Sequence, residues 1–590
     1  MSNRSSEAWL RALKMTSPIL ENPSVTLPTV LDRLGSQFGE APAILSGSEA
    51  LSYRTLAKRA AFYASWAISR KIGHGDAVCL LAPNSAEYLA IWLGITRVGG
   101  IVALINTNLR GAPLAHSIGL VSPSHIIVGN VLFSAFEAVR EQLPPGIICW
   151  VHGENIADLP RIDAGGENVN AQTIAVSISI PTIHDTALYI YTSGTTGLPK
   201  AVPISHFRLM QWSYWFAGLM GIVPADRMYN CLPMYHSAGG VVAICAPLVA
   251  GGSVVLPERF SVREFWADIA RWDCTLFQYI GEMCRYLLKG PTSLYEGDRR
   301  IRLCCGNGLS GDIWNTFQDR FKIPQILEFY ASTEGSISLY NCDGRPGAIG
   351  RIPPYLAHRF PIELVKCDFV TGQPVRGEDG FCTPCAPNEP GHAVSRIFRA
   401  GSGQARDFKI YTDPLASEQK ILRNVFDDGD AWYLTGDLLL KDKSGYYHFV
   451  DRVGDTFRWK GENVSAAEIE DVIRTFRGVT EALVYGVKVP NAEGRAGMVA
   501  VLPDEEFDLA SFHETLTERL PHYARPLFLR LVSNVPRTET FKPQKQQLKL
   551  EGYNPNLIAD RLYFNSQVDG IFTPLDIDTY ELIQCAEIRL

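Results

Sequence analysis

Apolar runs and amphipathic segments alternate along the first two-thirds of the chain. Asp76-Ala-Val-Cys-Leu-Leu-Ala82 is an unbroken apolar run behind one acid, which predicts a buried strand. Ser85 to Val98 carries Tyr88, Ile91, Trp92 and Ile95 at helical spacing, which predicts a helix with one apolar face. Gly99-Gly-Ile-Val-Ala-Leu-Ile105 predicts the next strand. This strand, helix, strand rhythm predicts parallel strands covered by helices, an α/β fold. There is no internal repeat and no low-complexity segment.

The pattern changes near Asp451. Gly445 to Val450 predicts a strand that closes one unit, and Gly461 opens a loop. Ser465-Ala-Ala-Glu468 has capping-box spacing, and Ile469, Val472, Ile473 and Phe476 then share one helical face. The expected organisation is a large N-terminal domain over residues 1–451, built on parallel-rich sheets with flanking helices. A hinge and a small mobile C-terminal α+β domain over residues 452–590 follow. Ala238 to Pro257 runs 20 residues without a charge, enough for a membrane span. Pro247 and Gly251-Gly252 interrupt it, which favours a buried helix, a glycine turn and a core strand Ser253-Val-Val-Leu256.

Composition adds exclusions. The 590 residues are 46% hydrophobic and 20% charged, as expected of an ordinary globular enzyme. A net charge of −7 leaves no basic footprint, so nucleic acid is not an expected partner. Arg4, Glu7, Arg11 and Lys14 break any secretory h-region, and 13 irregularly spaced cysteines do not make a disulfide scaffold. A reducing, cytoplasmic compartment is the expectation. Cys382 and Cys385 form a lone CxxC with no second pair or histidines at metal-binding spacing. The terminal Ile588-Arg-Leu590 resembles a peroxisomal address weakly, since isoleucine replaces the small residue.

The strongest local chemistry is Tyr191-Thr-Ser-Gly-Thr-Thr-Gly-Leu-Pro-Lys200, behind the apolar run Ala187 to Ile190. Gly194 and Gly197 let backbone N–H groups wrap an anion. The hydroxyls of Thr192, Ser193, Thr195 and Thr196 donate further hydrogen bonds, and Lys200 supplies charge. This is a phosphate cradle in composition. It is not a Walker loop, because the Gly-Lys-Ser/Thr spacing is missing and Pro199 bars an immediate helix start.

This loop resembles the signature of the adenylate-forming superfamily: acyl-CoA synthetases, luciferases and the adenylation domains of peptide synthetases. More narrowly, the chain is similar to the very-long-chain acyl-CoA synthetase and fatty acid transport protein branch. That likeness rests on Val98-Gly-Gly-Ile-Val-Ala-Leu-Ile-Asn-Thr-Asn108, Leu232-Pro-Met-Tyr-His-Ser-Ala-Gly-Gly240, Gln278-Tyr-Ile-Gly-Glu282 and Gly306-Asn-Gly-Leu309. Asp451-Arg-Val-Gly-Asp-Thr-Phe-Arg-Trp-Lys-Gly-Glu-Asn463 is its most specific part.

The resemblance implies roles. In Glu328-Phe-Tyr-Ala-Ser-Thr-Glu-Gly335, Glu334 binds Mg²⁺ with Thr195, Thr333 contacts the α-phosphate and Tyr330 stacks on adenine. Gly306, Asn307 and Gly308 line the other side of the base. In Tyr433-Leu-Thr-Gly-Asp437, Asp437 holds the ribose, assisted by Arg452. Lys542 reaches the site during adenylation. Lys545 and Lys549 lie close enough to be confused with it, and taken alone each reads as a solvated surface lysine. Lys460, Gly461 and Glu462 admit coenzyme A, and Gly454 is the hinge. Gly454 stands where many members of the superfamily carry Asp or Lys, although the nearer branch shares the glycine, which tolerates hinge dihedrals. Glu539 stands where that branch often has glycine. Tyr235 and His236 stand at the mouth of the acyl pocket or in the core. Tyr279, with the segment Thr275 to Ile280, lines the acyl channel or is simply core.

The implied reaction uses ATP and Mg²⁺ to convert a long- or very-long-chain fatty acid to its acyl adenylate. Rotation of the small domain then allows thioester formation with coenzyme A. Alternatives are a ligase that loads a carrier protein, a coenzyme A ligase for a bile or aromatic acid, a transporter, and a non-catalytic acyl-binding protein. Peripheral membrane association stays open because long acids partition into lipid. Chain length and oligomeric state are not set by these residues.

Overall fold

The computed structural model describes residues 3–588 except 48, 155, 157–158, 165–179, 194–197, 298–299, 336, 369–370, 398–409, 454, 456, 460–461, 491–493, 536, 538–544, 567–570 and 586. The chain divides into two compact units. One comprises Met1–Gly350 and Phe398–Ile421, the other Arg351–Ile397 and Leu422–Leu590.

The first unit is α/β, as the alternating pattern predicts. The expected strand at 76–82 is Ala77–Leu81, every residue of it buried. A strand covered on both faces reads as a continuous apolar run, which is why its sequence lacks alternation. The expected helix is Ala86–Arg97, with the Ser85 side chain accepting from the Tyr88 N–H as N-cap. The next strand is Ile101–Leu104, and it pairs parallel with Ala77–Leu81. Among the described residues these belong to a six-stranded sheet that ends on the antiparallel hairpin Thr186–Ser193 and Pro199–Ser205.

A second, eight-stranded sheet includes Arg227–Tyr229, Leu276–Ile280, Leu303–Asn307 and Ile326–Ala331 as parallel neighbours. Its edge strand Ser338–Asn341 runs antiparallel. The helix Asn3–Thr16 packs on His206–Met220 so closely that a Cβ on Gly218 would meet the Ala12 Cα at 2.5 Å.

The charge-free stretch resolves as a π-turn Ala238–Val242, a buried helix Ala243–Val249 and the buried strand Ser253–Leu256. Gly251, at φ +83°, makes the turn between them. Among the described residues no helix is long and apolar enough to cross a membrane.

The second unit contains the antiparallel strands Ile362–Asp368, Gly391–Arg396, Ala431–Lys441 and Tyr446–Arg452. It also holds a five-stranded sheet from Val479–Val487 to Ile571–Pro574. The helix predicted after Gly461 is Ala466–Arg474, capped by Ser465, whose side chain accepts from the Glu468 N–H. Ile469 and Ile473 are buried, with Val472 and Phe476 packed beside them.

Candidate active site

In the first unit, the phosphate-cradle residues close a β-hairpin. Thr192 pairs with Lys200 and Ser193 with Pro199, so the two ends of the motif are held on paired antiparallel strands. Gly194, Thr195, Thr196 and Gly197 lie outside the described residues. Pro199 starts the return strand, which agrees with its exclusion of a helix.

Lys200 Nζ sits 5.2 Å from the Tyr411 ring centroid, a cation–π contact. The Tyr411 hydroxyl donates to Glu334 Oε1 at 3.1 Å. Burial, and next the Glu334 charge, push the Tyr411 phenol well above its ordinary pKa, so it stays a donor. The Thr412 N–H donates to the Ala201 carbonyl at 3.0 Å, which fastens this segment beside the hairpin. Tyr411 thus joins Lys200 to Glu334. Motif reading missed it, because Tyr-Thr-Asp-Pro carries only a turn and N-cap signal.

Thr333 is held from two sides. Arg208 donates to its carbonyl, and its hydroxyl lies 3.3 Å from that of Ser237. Arg208 and Ser237 also went unassigned in the motifs. Next to Ser237, the rings of Tyr235 and His236 are 4.5 Å apart, and Tyr235 is buried. Glu334 is half-buried with hydroxyl oxygens on neighbouring residues. A carboxylate among hard oxygen donors fits Mg²⁺.

Tyr330 is half-buried near the end of Ile326–Ala331. On the adjoining strand, Gly306 and Asn307 end Leu303–Asn307, and Gly308 turns at φ +84°. Tyr279 lies beneath this turn. A Cβ on Gly306 would approach the Tyr279 ring within 2.6 Å. The Tyr279 hydroxyl donates to Glu328, and the Tyr279 side chain is 0% exposed.

In the second unit, Asp437 and Arg452 face each other across paired strands, with Arg452 Nε 3.7 Å from Asp437 Oδ1. The Asp437 N–H donates to the Thr435 hydroxyl at 3.0 Å, so the Thr-Gly-Asp turn is internally braced. Asp451 is buried. It accepts from the backbone N–H groups of Arg452 and Ala466, at 2.8 and 3.1 Å. Burial raises its carboxyl to about 6, partly offset by Lys545. Gly454, Lys460, Gly461 and Lys542 lie outside the described residues, and Glu462 starts the strand Glu462–Val464.

The surface-lysine expectation fails for Lys545 and Lys549. Lys545 Nζ lies 2.8 Å from Glu470 and 4.0 Å from Asp455, with only 15% of its side chain exposed. Lys549 also pairs with Asp455. The helix Lys545–Glu551 turns these lysines inward, an orientation that sequence spacing cannot reveal. Arg537, before the segment that carries Lys542, pairs with Glu481 at 2.7 Å. Both flanks of that segment are therefore anchored.

Comparison with known proteins identifies the family. The model of the AMP-binding enzyme family matches residues 31–380, and that of the AMP-binding enzyme C-terminal domain matches residues 468–542. Long-chain fatty acid transport protein 1 of Mus musculus is 39% identical over 582 residues, 96% of this chain and 88% of that protein. The Homo sapiens protein of the same name is 40% identical over 514 residues, 86% of this chain and 79% of that protein. Among solved structures, an anthranilate CoA ligase in complex with anthranoyl-AMP aligns with a TM-score of 0.73 at 21% identity, covering 89% of this chain and 97% of that one. ATP-bound MatB from Rhodopseudomonas palustris aligns with a TM-score of 0.72 at 23% identity, covering 89% and 99%. These two likenesses concern the fold.

Proposed function

The chain belongs to the AMP-binding enzyme family, and on that premise we propose that it activates a long- or very-long-chain fatty acid as its acyl adenylate and transfers the acyl group to coenzyme A. The single observation that carries this is the Lys200–Tyr411–Glu334 relay, which sets a cation from the return strand of a β-hairpin and a carboxylate around one phenol. A cation suits nucleotide phosphates, and a carboxylate suits the Mg²⁺ they carry.

In the first half-reaction, a carboxylate oxygen of the acid bonds to the α-phosphorus of ATP, the α–β anhydride breaks and pyrophosphate leaves. Lys200 and the hairpin tip hold the departing phosphates, and Thr333 orients the α-phosphate. Glu334 with Thr195 would hold Mg²⁺, which supplies charge neutralisation on the phosphates when bound. Lys542 stabilises charge in this step only. Tyr330 and the Gly306–Gly308 turn hold the base, and Asp437 with Arg452 the ribose. Tyr235 and His236 border the acyl group.

In the second half-reaction the thiol of coenzyme A, admitted by Lys460, Gly461 and Glu462, attacks the acyl carbon and AMP leaves. AMP is a far better leaving group than hydroxide, which is why activation precedes transfer. The functional boundary at Asp451, with Gly454 as hinge and residues 452–590 as a lid, belongs to this proposal.

The deciding experiment is ATP–pyrophosphate exchange with a panel of acids, with and without coenzyme A. Exchange that favours long-chain acids, plus thioester formation only with coenzyme A, is expected. Exchange restricted to aromatic or bile acids would overturn the substrate assignment. Adenylate formation without thioester in the presence of coenzyme A would overturn the acceptor.

A further inference from the structure

Glu328 is 1% exposed on Ile326–Ala331, yet it is an acid. A buried carboxyl group is costly unless its oxygens are hydrogen-bonded. Three neutral donors meet them here. The Tyr279 hydroxyl donates to Oε2 at 2.5 Å, the Gly308 N–H donates to Oε1, and the Leu309 N–H lies 3.3 Å from Oε1. Two of the donors are successive backbone groups of one turn.

The register explains how they meet. Tyr279 stands opposite Gly306, and Gly306 opposite Glu328, on three neighbouring parallel strands. Tyr279 and Gly306 lie toward the carboxyl ends of their strands, where open α/β sheets bind ligands, and Glu328 reaches them from the middle of its own strand. The far side of the turn is also fixed. A Cβ on Gly281 would fall 1.7 Å from the Gly308 carbonyl oxygen, so that peptide is gripped at its N–H by Glu328 and packed at its oxygen by a helix start. An apolar residue at 328 would fill the space and leave two N–H groups orphaned.

We propose that Glu328, braced by Tyr279, is a positioning residue that sets the Gly306–Leu309 turn in the shape required by the nucleobase, and so governs the affinity and choice of nucleotide. It touches no reacting atom. This rests on the assignment of that turn to the base.

The test uses the full chain and pyrophosphate exchange, with ATP and GTP as probes. Glu328→Met keeps the length and removes both acceptors, while Glu328→Gln keeps one oxygen for the two N–H groups. Glu328→Met is expected to raise KM for ATP about tenfold and to narrow the preference for ATP over GTP, with kcat and KM for the acid changed less than about threefold. Glu328→Gln is expected to restore most of the ATP affinity. Thermal melting of each variant separates positioning from simple support. A Glu328→Met chain that melts earlier but keeps its KM for ATP overturns the proposal. If Glu328→Met does not fold, Tyr279→Phe decides, and an unchanged KM for ATP together with an unchanged base preference overturns it. Asn307→Ala tests the underlying assignment directly. If it raises KM for ATP while the Glu328 and Tyr279 variants do not, the proposal fails and the base assignment stands. If it leaves KM for ATP and base preference unchanged, the base assignment fails and the proposal with it.

Discussion

Lys545 directs its ammonium at the Glu470 carboxylate 2.8 Å away, with 15% and 8% of the two side chains exposed. Glu470 also accepts from the Val484 N–H at 2.8 Å, which ties the helix Ala466–Arg474 to the five-stranded sheet. Removing Lys545 takes from the buried Glu470 one of its two cationic partners, the other being Arg474 at 2.9 Å. Lys545→Ala is expected to lower unfolding stability by about 3 kcal/mol. Urea denaturation checks this, and a loss near zero would show the pair to be solvated.

The role proposed for Lys542 would separate the two half-reactions. Its ammonium is assigned to charge that develops only while the α-phosphate is attacked. Lys542→Ala is expected to slow acyl-adenylate formation by about 10²–10³ and to leave thioester formation from supplied acyl adenylate largely intact. Lys443, exposed in a turn, is the suitable control, because Lys545 is part of a buried network. Equal losses in both half-reactions would refute the assignment.

Glu334→Gln should abolish Mg²⁺-dependent adenylation while melting like the parent chain. Tyr411→Phe keeps the ring beneath Lys200 and loses only the bond to Glu334, so a drop of about tenfold in kcat/KM is expected. Near-normal pyrophosphate exchange in Glu334→Gln would remove it from the metal site. An unchanged Tyr411→Phe would show the relay to be incidental.

The Glu328 carboxyl is raised from its ordinary value to about 8, chiefly by burial. A group raised on folding favours the native state most below its unfolded pKa, and that contribution is lost as pH rises through the folded value. Stability should therefore decline between about pH 4 and pH 8 by a component that Glu328→Gln lacks. Melting temperatures of both chains across that range give the answer. Parallel pH profiles would mean that Glu328 does not titrate there.

Ala238 to Pro257 folds as a turn, a short helix and a core strand, so it offers no anchor. Carbonate washing is expected to strip the chain from membranes. Resistance to carbonate would require an attachment other than this stretch.

Local patterning was enough to predict the strand Ala77–Leu81, the helix after Ser85, and the helix Ala466–Arg474 with its Ser465 cap. These features depend on neighbours a few residues apart. The hairpin around the cradle was less legible. A Gly/Thr loop signals an anion site, but antiparallel pairing of Thr192 with Lys200 depends on a return strand that composition does not mark. Motif spacing also left Tyr279 between channel and core, whereas its hydroxyl meets Glu328, 49 positions away.

By itself, the sequence determined the chemical inventory: a Gly/Thr-rich segment ending in Lys200, an acid after Thr333, a Thr-Gly-Asp run and a lysine at 542. It also determined the α/β rhythm, since both rest on residue type and short-range order. Tertiary structure alone decided that Tyr411 reaches Glu334, 77 positions away, and that Lys545 turns into a cluster of acids. Such partnerships depend on which strands become neighbours and in what register, and burial then makes each contact strong by removing competing water.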